Sequence, residues 1–433
     1  MAGRSLQTLA ERAKSGRPYV VVQIKYELAT LPLCEAYAKF NELMGIGEPD
    51  ELNRGRAVSL HDTALSRAKL YWETERGGRA YENRESTVIG EGNHRTLSWR
   101  TRTDYVACFE GIEVWSLSGA IRHDDELAFD FEDWEIAQVD DRLELDSRVF
   151  RCDGRDLSYL KHDPAKFAPT IDRAFMLTGC HTRAFGHWMS EYLPKYLAAL
   201  NAGLPPMPIL IDAGMPLQHR QSLEMFAPPN TDIVEIPLQG MVKVGELWCA
   251  PSPIYVPINE KATENYRWDV LCMPPWRFKK VIDRMTTALD AMQSTVAARR
   301  VYLARPERSH RRLVNSAAIE AIARERGFEI VYPETLSFME QAILLRSARF
   351  VVAPEGSAEY LTFFSRPGTK FAILCHPDIE GMPTFTATIE ELGIETVVVT
   401  GPYHKRNEAW LQFSSYTIDE GRFQTFLAGW LRD

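Results

Sequence analysis

No stretch of this 433-residue chain approaches the ~18 uninterrupted apolar residues that a membrane-spanning helix needs. Its opening residues carry no apolar signal core, so no export leader is expected. Cysteine is sparse and scattered: Cys34, Cys108, Cys152, Cys180, Cys249, Cys272 and Cys375 form no CxxC pair. That spacing speaks against a zinc site or a disulfide scaffold and predicts reduced thiols in a cytosolic protein. Positive charge is not in excess, since 50 Lys and Arg stand against 59 Asp and Glu, a net charge of −9. A broad nucleic-acid-binding surface is thereby excluded, and any basic site must be local. Neither GxGxxG nor GxxxxGK[ST] occurs, so neither a dinucleotide fingerprint nor a P-loop is available. Internal repeats and low-complexity segments are absent as well.

What is present is an ordinary folded composition, 45% apolar and 25% charged, on a chain long enough for two or three domains. The first 150 residues suggest a strand at 19–24, a helix around 34–43, a polar stretch at 48–53, and short alternating segments at 97–101, 105–109 and 112–117. This pattern predicts a β-rich elaboration. From about Arg173 the grammar changes. Apolar runs at 174–178, 208–211, 233–236 and 247–250 alternate with helical stretches at 186–200 and 217–226. A Pro-rich passage at 273–276 and a helix over 278–298 lead to a second series, with strands at 300–303, 328–331, 350–353, 371–374 and 396–399. Helices are expected between them at 316–326, 337–347 and 358–365, and a last one at 417–431. Alternation of this kind predicts an α/β protein with two doubly wound units, whose ligands sit at the carboxyl ends of the strands.

The chemistry-bearing residues cluster. Six arginines lie between Arg299 and Arg312, around one strand-to-helix turn. Arg305 stands at the carboxyl end of its strand, and Arg311 and Arg312 precede a helix with Asn315 as its cap. Guanidinium groups suit phosphate because they donate in a planar fork. Arg299, Arg300 and Arg308 read instead as solvated charge. A second turn, Glu355-Gly356-Ser357-Ala358, follows an apolar strand and opens a helix, where backbone N–H groups favour an anion. By itself this turn reads first as an ordinary turn with Ser357 as N-cap. Ser337 and Glu340 fit a capping box, a structural role, and Glu334 lies just past a strand end, where it could take ribose hydroxyls. In the first unit, His187 and Glu191 are i, i+4 neighbours, a spacing that lets a carboxylate steer a histidine as general base. The same pair could supply two metal ligands, although this is not HExxH and no third ligand stands out. It reads equally as a structural histidine beside Trp188.

Taken in order, these blocks resemble the family 61 glycosyltransferases. His-Trp-x-x-Glu-x-Leu-Pro is intact from His187 to Pro194. A strand ending at Arg305, then Arg311 or Arg312 and Asn315, follows. Next come Gly327-Phe328-Glu329, Pro333-Glu334, Leu336-Ser337-Phe338 and Glu340-Gln341, and finally Glu355-Gly356-Ser357, Phe364 and Pro367-Gly368. The resemblance spans residues 173–375. It implies a GT-B type fold, two Rossmann-like domains facing a central cleft, with inversion at the anomeric carbon. It also implies a nucleotide-sugar donor, most often a UDP-sugar, with no cofactor and no metal. Expected domains are the β-rich elaboration of the acceptor side (1–150), an acceptor domain (151–295) and a donor domain (296–433). His187 and Glu191 become the catalytic pair. Arg305, Arg311, Arg312, Asn315, Glu334, Ser337, Gln341, Glu355, Gly356, Ser357 and Ala358 become the donor-binding set. The acceptor would be a glycan or glycolipid of a bacterial-type capsule or other surface polysaccharide. The expected location is cytoplasmic; peripheral contact with the inner face of the membrane or with polysaccharide-assembly proteins, and a homodimer, stay open. Two positions depart from the family pattern: Glu355 replaces the commoner histidine, and Leu361 stands where many members have asparagine. They motivate a second reading, a non-catalytic scaffold that keeps the shape and binds a glycan or a protein. A sugar-nucleotide epimerase is a third.

Overall fold

Strands buried on both faces read as unbroken apolar runs, and Ile209–Asp212 and the core of Lys370–Cys375 do so, with every residue from Ile209 to Asp212 and from Phe371 to Cys375 buried. The computed structural model describes residues 6–14, 24–25, 27–28, 31–44, 51–82, 86–91, 98–132, 143, 146–161, 170–238, 240–254, 273–292, 298–306, 312–377, 382–406 and 414–432. They form a mixed α/β protein built on three larger sheets.

The first α/β sheet contains Ile233–Ile236, Ile209–Asp212, Thr170–Met176 and Met241–Cys249 in parallel, in that spatial order. The order reverses at Thr170–Met176, so its carboxyl end and that of Met241–Cys249 flank a switch point, the place where such sheets bind ligands. Asp104–Trp115 and then Leu70–Glu75 extend this sheet antiparallel. The second α/β sheet runs Glu329–Val331, Arg299–Leu303, Ala348–Pro354, Lys370–Cys375 and Glu395–Thr400, all parallel. Its switch point lies between Arg299–Leu303 and Ala348–Pro354.

The N-terminal region does not stay together as one unit. Besides the two antiparallel strands it lends the first sheet, it adds Thr87–Ile89 in parallel to the edge strand Glu395–Thr400 of the second. The third sheet is its own: Ile121–His123, Glu126–Phe129, Glu51–Ser59, Asp156–Lys161 and Val149–Asp153. Of the stretch expected to be merely polar at 48–53, residues 48–50 lie outside the described residues, and 51–53 enter a central strand. Its polar side chains Arg54 and Arg56 face solvent, while its backbone pairs on both sides. The two segments expected at 105–109 and 112–117 are one strand, which passes Gly111 at φ 68°. Of the strand expected at 19–24, residues 19–23 lie outside the described residues.

The two α/β sheets are not separated along their length by a cleft. One apolar core joins them, containing Phe175, Ile209 and Trp248 from the first sheet and Val301, Val351 and Ile373 from the second. Between them lie the helices Leu193–Asn201, Leu217–Phe226, Pro275–Met292 and Phe338–Arg346. Phe338 meets Phe226 edge-to-face at 6.0 Å, and its backbone N–H donates to Gln221. The segment expected as a helix over 358–365 is a 3₁₀ turn, Ser357–Phe364. The outer face of the second sheet is covered by Ser316–Glu325 and Glu420–Trp430. Among the described residues no helix is long and apolar enough to cross a membrane.

Candidate active site

The segment leaving Thr170–Met176 is fastened by one buried carboxylate. Asp212, at the end of its own strand, accepts from the backbone N–H of Leu117 (2.5 Å) and Gly179 (3.2 Å) and from the Thr182 hydroxyl (2.6 Å). Burial raises its pKa to about 6, against those three donors. The turn held in this way delivers a short helix, Phe185–His187, followed by a π turn, Trp188–Tyr192, and the helix Leu193–Asn201. Pro194 accounts for the π turn: it has no N–H, and its ring crowds the carbonyl four residues back. The wider turn relieves both problems, and the N–H of Leu193 reaches the carbonyl of Trp188.

On this turn His187 Nδ1 and Glu191 Oε1 lie 2.5 Å apart. A carboxylate only accepts, so Nδ1 carries a proton in this pair. Both side chains are mostly buried, 23% and 14% exposed. The His181 ring stacks on His187 at 4.3 Å. Burial, reinforced by His187, holds His181 well below the usual histidine range, so it is neutral and adds no charge beneath its neighbour. Trp188 takes a different partner. Its ring stacks on His219 at 5.1 Å, and its indole N–H donates to Ser222.

At the second switch point the guanidinium of Arg305 donates to the backbone carbonyl of Glu355. Gly356 adopts φ 152° and ψ −178° there. The backbone angle there favours glycine, and a Cβ would lie 2.8 Å from Arg305 Nη1, so a side chain would displace that guanidinium. The Glu355 side chain is buried. The two halves meet at this turn: a Cβ on Gly186 would sit 3.1 Å from Ser357 Oγ and 3.3 Å from the Tyr360 ring. The Ser190 hydroxyl donates to the Gly186 carbonyl on the same turn (2.9 Å). Burial, with Glu359 and other carboxylates adding to it, pushes the Tyr360 phenol well up and keeps it neutral.

The structure therefore brings together His187, Glu191, Arg305, Glu355, Gly356 and Ser357, with Ala358 continuing the same turn. It does not bring the rest of the expected donor set with them. Asn315 occupies the N-cap position without capping; its amide clasps Ile418, donating to that carbonyl (2.8 Å) and accepting from that N–H (3.2 Å). Ser337 and Glu340 form the capping box. Gln341 is buried and donates to the carbonyls of Pro333 and Leu336. Glu334 is exposed, and its carbonyl receives Gln218 from the other unit. Of these, Glu334 meets the other unit; the polar groups of Asn315, Ser337 and Gln341 satisfy nearby groups of their own unit instead. Arg312 is exposed, and Arg311 lies outside the described residues together with Arg308. Arg299 and Arg300, at the opposite end of their strand, bond Glu329 and the carbonyl of Arg326. Leu361 is fully buried in the shared core. His181, Asp212 and Tyr360 escaped the sequence reading; only the aromatic character of the 3₁₀ turn hinted at Tyr360. Among the described residues no group of three or more His, Cys, Asp or Glu is arranged to hold a metal ion.

Residues 185–372 match the family model described as Glycosyltransferase 61. The span opens on the helix of His187 and closes in the strand Lys370–Cys375, so it carries both halves of the site. No curated protein matches the chain.

Proposed function

From a chain whose residues 185–372 are a glycosyltransferase family 61 region, we propose an inverting, metal-independent glycosyltransferase. It moves a sugar from a nucleotide-sugar, of UDP type, to a hydroxyl of a surface polysaccharide or other glycan acceptor. The two parallel sheets act as the two Rossmann-like halves of a GT-B arrangement, acceptor on the first and donor on the second. One observation carries this reading: the switch points of the two sheets meet at Gly186 and Ser357, with a histidine–carboxylate pair on one side and an arginine-held glycine turn on the other.

The chemistry follows from the residue types. The acceptor hydroxyl gives its proton to His187 Nε2 while its oxygen bonds the anomeric carbon. Glu191 stabilises the imidazolium that forms. The bond from that carbon to the diphosphate breaks, and its electron pair leaves on the phosphate oxygen. Arg305 and the N–H groups of the Gly356–Ser357 turn stabilise the charge developing there. Glu355 is assigned to sugar hydroxyls, because a carboxylate beside a diphosphate is repelled.

Calorimetric titration with UDP-, CMP- and GDP-sugars tests the reading. At least one is expected to bind, and Arg305→Ala to abolish that binding. His187→Ala should leave binding intact and slow transfer by about 10²–10⁴-fold. Silence toward every nucleotide, or equal loss of binding in both variants, would overturn the proposal and favour a non-catalytic scaffold.

A further inference from the structure

At the switch point of the first sheet, the segments leaving Thr170–Met176 and Met241–Cys249 wall a cavity of about 90 Å³ beside the His187–Glu191 pair. Glu191 itself lines it, as does His181, whose ring lies under His187. The opposite wall comes from the N-terminal region: Gly119, with Phe129 and Phe131, whose rings are parallel to within 9°. Lys195 enters from the helix one turn beyond Glu191. Its side chain is 5% exposed, and its ammonium has only Asp130 Oδ2 at 3.8 Å, beyond hydrogen-bond reach. Asp130 is already held by Arg102 (2.8 Å) and the N–H of Ser252 (2.7 Å).

A buried ammonium that makes no hydrogen bond to any described residue is costly unless an acceptor arrives. We infer that this cavity is the acceptor subsite, and that it takes the hydroxyl-bearing edge of a neutral terminal pyranose. The inference rests on the glycosyltransferase reading. Lys195 donates to a sugar oxygen, and Asp130 and Glu191 accept from sugar hydroxyls. The aromatic wall packs the apolar face of the ring. An acidic sugar is disfavoured, since the carboxylates of Asp130 and Glu191 already face the cavity and His181 is neutral. Size agrees: a cavity of about 90 Å³ holds several water-sized groups, enough for the hydroxyls of one ring edge. This gives the N-terminal region a function, as the wall that selects the acceptor.

The test is NMR titration of the full chain with the methyl glycosides of glucose, galactose, mannose and xylose, and with methyl glucuronide. At least one neutral glycoside is expected to bind and the glucuronide not to. Lys195→Met should raise the dissociation constant at least tenfold without changing UDP affinity. Gly119→Leu is the second variant: a Cβ there meets nothing closer than the Thr178 carbonyl at 4.0 Å, so the side chain fills the cavity without removing a charge. Circular dichroism checks that both variants fold. No neutral glycoside bound by the wild type, tighter binding of the glucuronide, or undiminished binding in a folded Gly119→Leu each overturns the inference. Failure of the glycosyltransferase reading looks different: no nucleotide-sugar binds, while a glycoside still binds through Lys195.

Discussion

Gly356→Ala places the tightest constraint of the donor side under test. At φ 152° and ψ −178° the backbone lies where essentially only glycine goes, and an alanine held there costs about 1–3 kcal/mol. The added methyl would also sit 2.8 Å from Nη1 and 3.0 Å from Cζ of Arg305. That guanidinium cannot yield without giving up its bond to the Glu355 carbonyl. A hydrogen bond to a charged group is worth about 1.5–3 kcal/mol. The penalties are alternatives in part, since a turn that relaxes spares the arginine and a displaced arginine spares the turn. A combined loss of about 2–4 kcal/mol follows. The strain appears as lost stability, while the share met by displacing Arg305, about 1.5–3 kcal/mol, is at 1.4 kcal/mol per tenfold roughly a 10- to 150-fold fall in nucleotide affinity. Isothermal titration with UDP reads it directly, with thermal unfolding run alongside to separate binding from folding. In an Arg305→Ala background, Gly356→Ala should cost less stability than in the wild type, because the group it would crowd is gone. UDP affinity within threefold of wild type, at unchanged stability, would refute the claim that this turn and Arg305 form one anion-holding unit.

Two further outcomes are expected. Gly90 closes the strand Thr87–Ile89 at φ 123°, where a Cβ would lie 2.3 Å from Thr400 Oγ1 and 2.6 Å from the Thr400 carbonyl. Gly90→Val should dislodge that strand from the second sheet and lower stability to urea by about 1–3 kcal/mol or more; an unshifted midpoint would show that the strand is not docked there. His219 is held neutral by burial, its pKa lowered from 6.5 to about 4. Its contribution is fully present above pH 6.5 and is lost as pH falls toward 4, because the unfolded chain then binds the extra proton. Asp212, raised from 3.8 to about 6, works in the opposite sense, so wild-type stability hides both. His219→Gln removes one side of the balance. Relative to wild type, it should gain about 2–3 kcal/mol between pH 7 and pH 4.5 in denaturant titrations; a constant difference across that range would argue against a neutral His219.

The alternation of apolar runs with helical periods made both parallel sheets readable, and for a physical reason. A strand covered on both faces is apolar through its length, so 208–211 and 371–374 announce themselves. The helix Leu217–Phe226 and the strand Ile233–Ile236 appear at their expected limits. The N-terminal region resisted the same reading because its strands are edge-like or half-exposed and find partners far along the chain. Thr87–Ile89 pairs with residues about three hundred positions later, and nothing local to it says so. The shared core between the sheets was equally hidden. Phe226 and Phe338 look like ordinary apolar helix positions, and only packing shows that each is the other's partner.

The site divides along the same line. Arg305 and Glu355–Ser357 were legible because their positions follow from topology: each stands where a strand ends, and strand order alone puts those two ends together. Asn315, Ser337 and Gln341 have residue types equally suited to a ligand, yet Asn315 and Gln341 are claimed by backbone groups within the fold and Ser337 by the N–H of Glu340 at its own helix start. Residue type tells what a side chain can bond, not which partner reaches it first. His187 shows how such a choice is decided. By sequence it could serve a carboxylate or simply pack against Trp188, its neighbour. On a helical turn adjacent residues diverge by about 100°, so the two rings cannot share a face. The ring that packs on Trp188 comes instead from His219, on the next helix. Trp188 is thus satisfied from elsewhere, and His187 turns to Glu191, one residue beyond the Gly186 that meets Ser357.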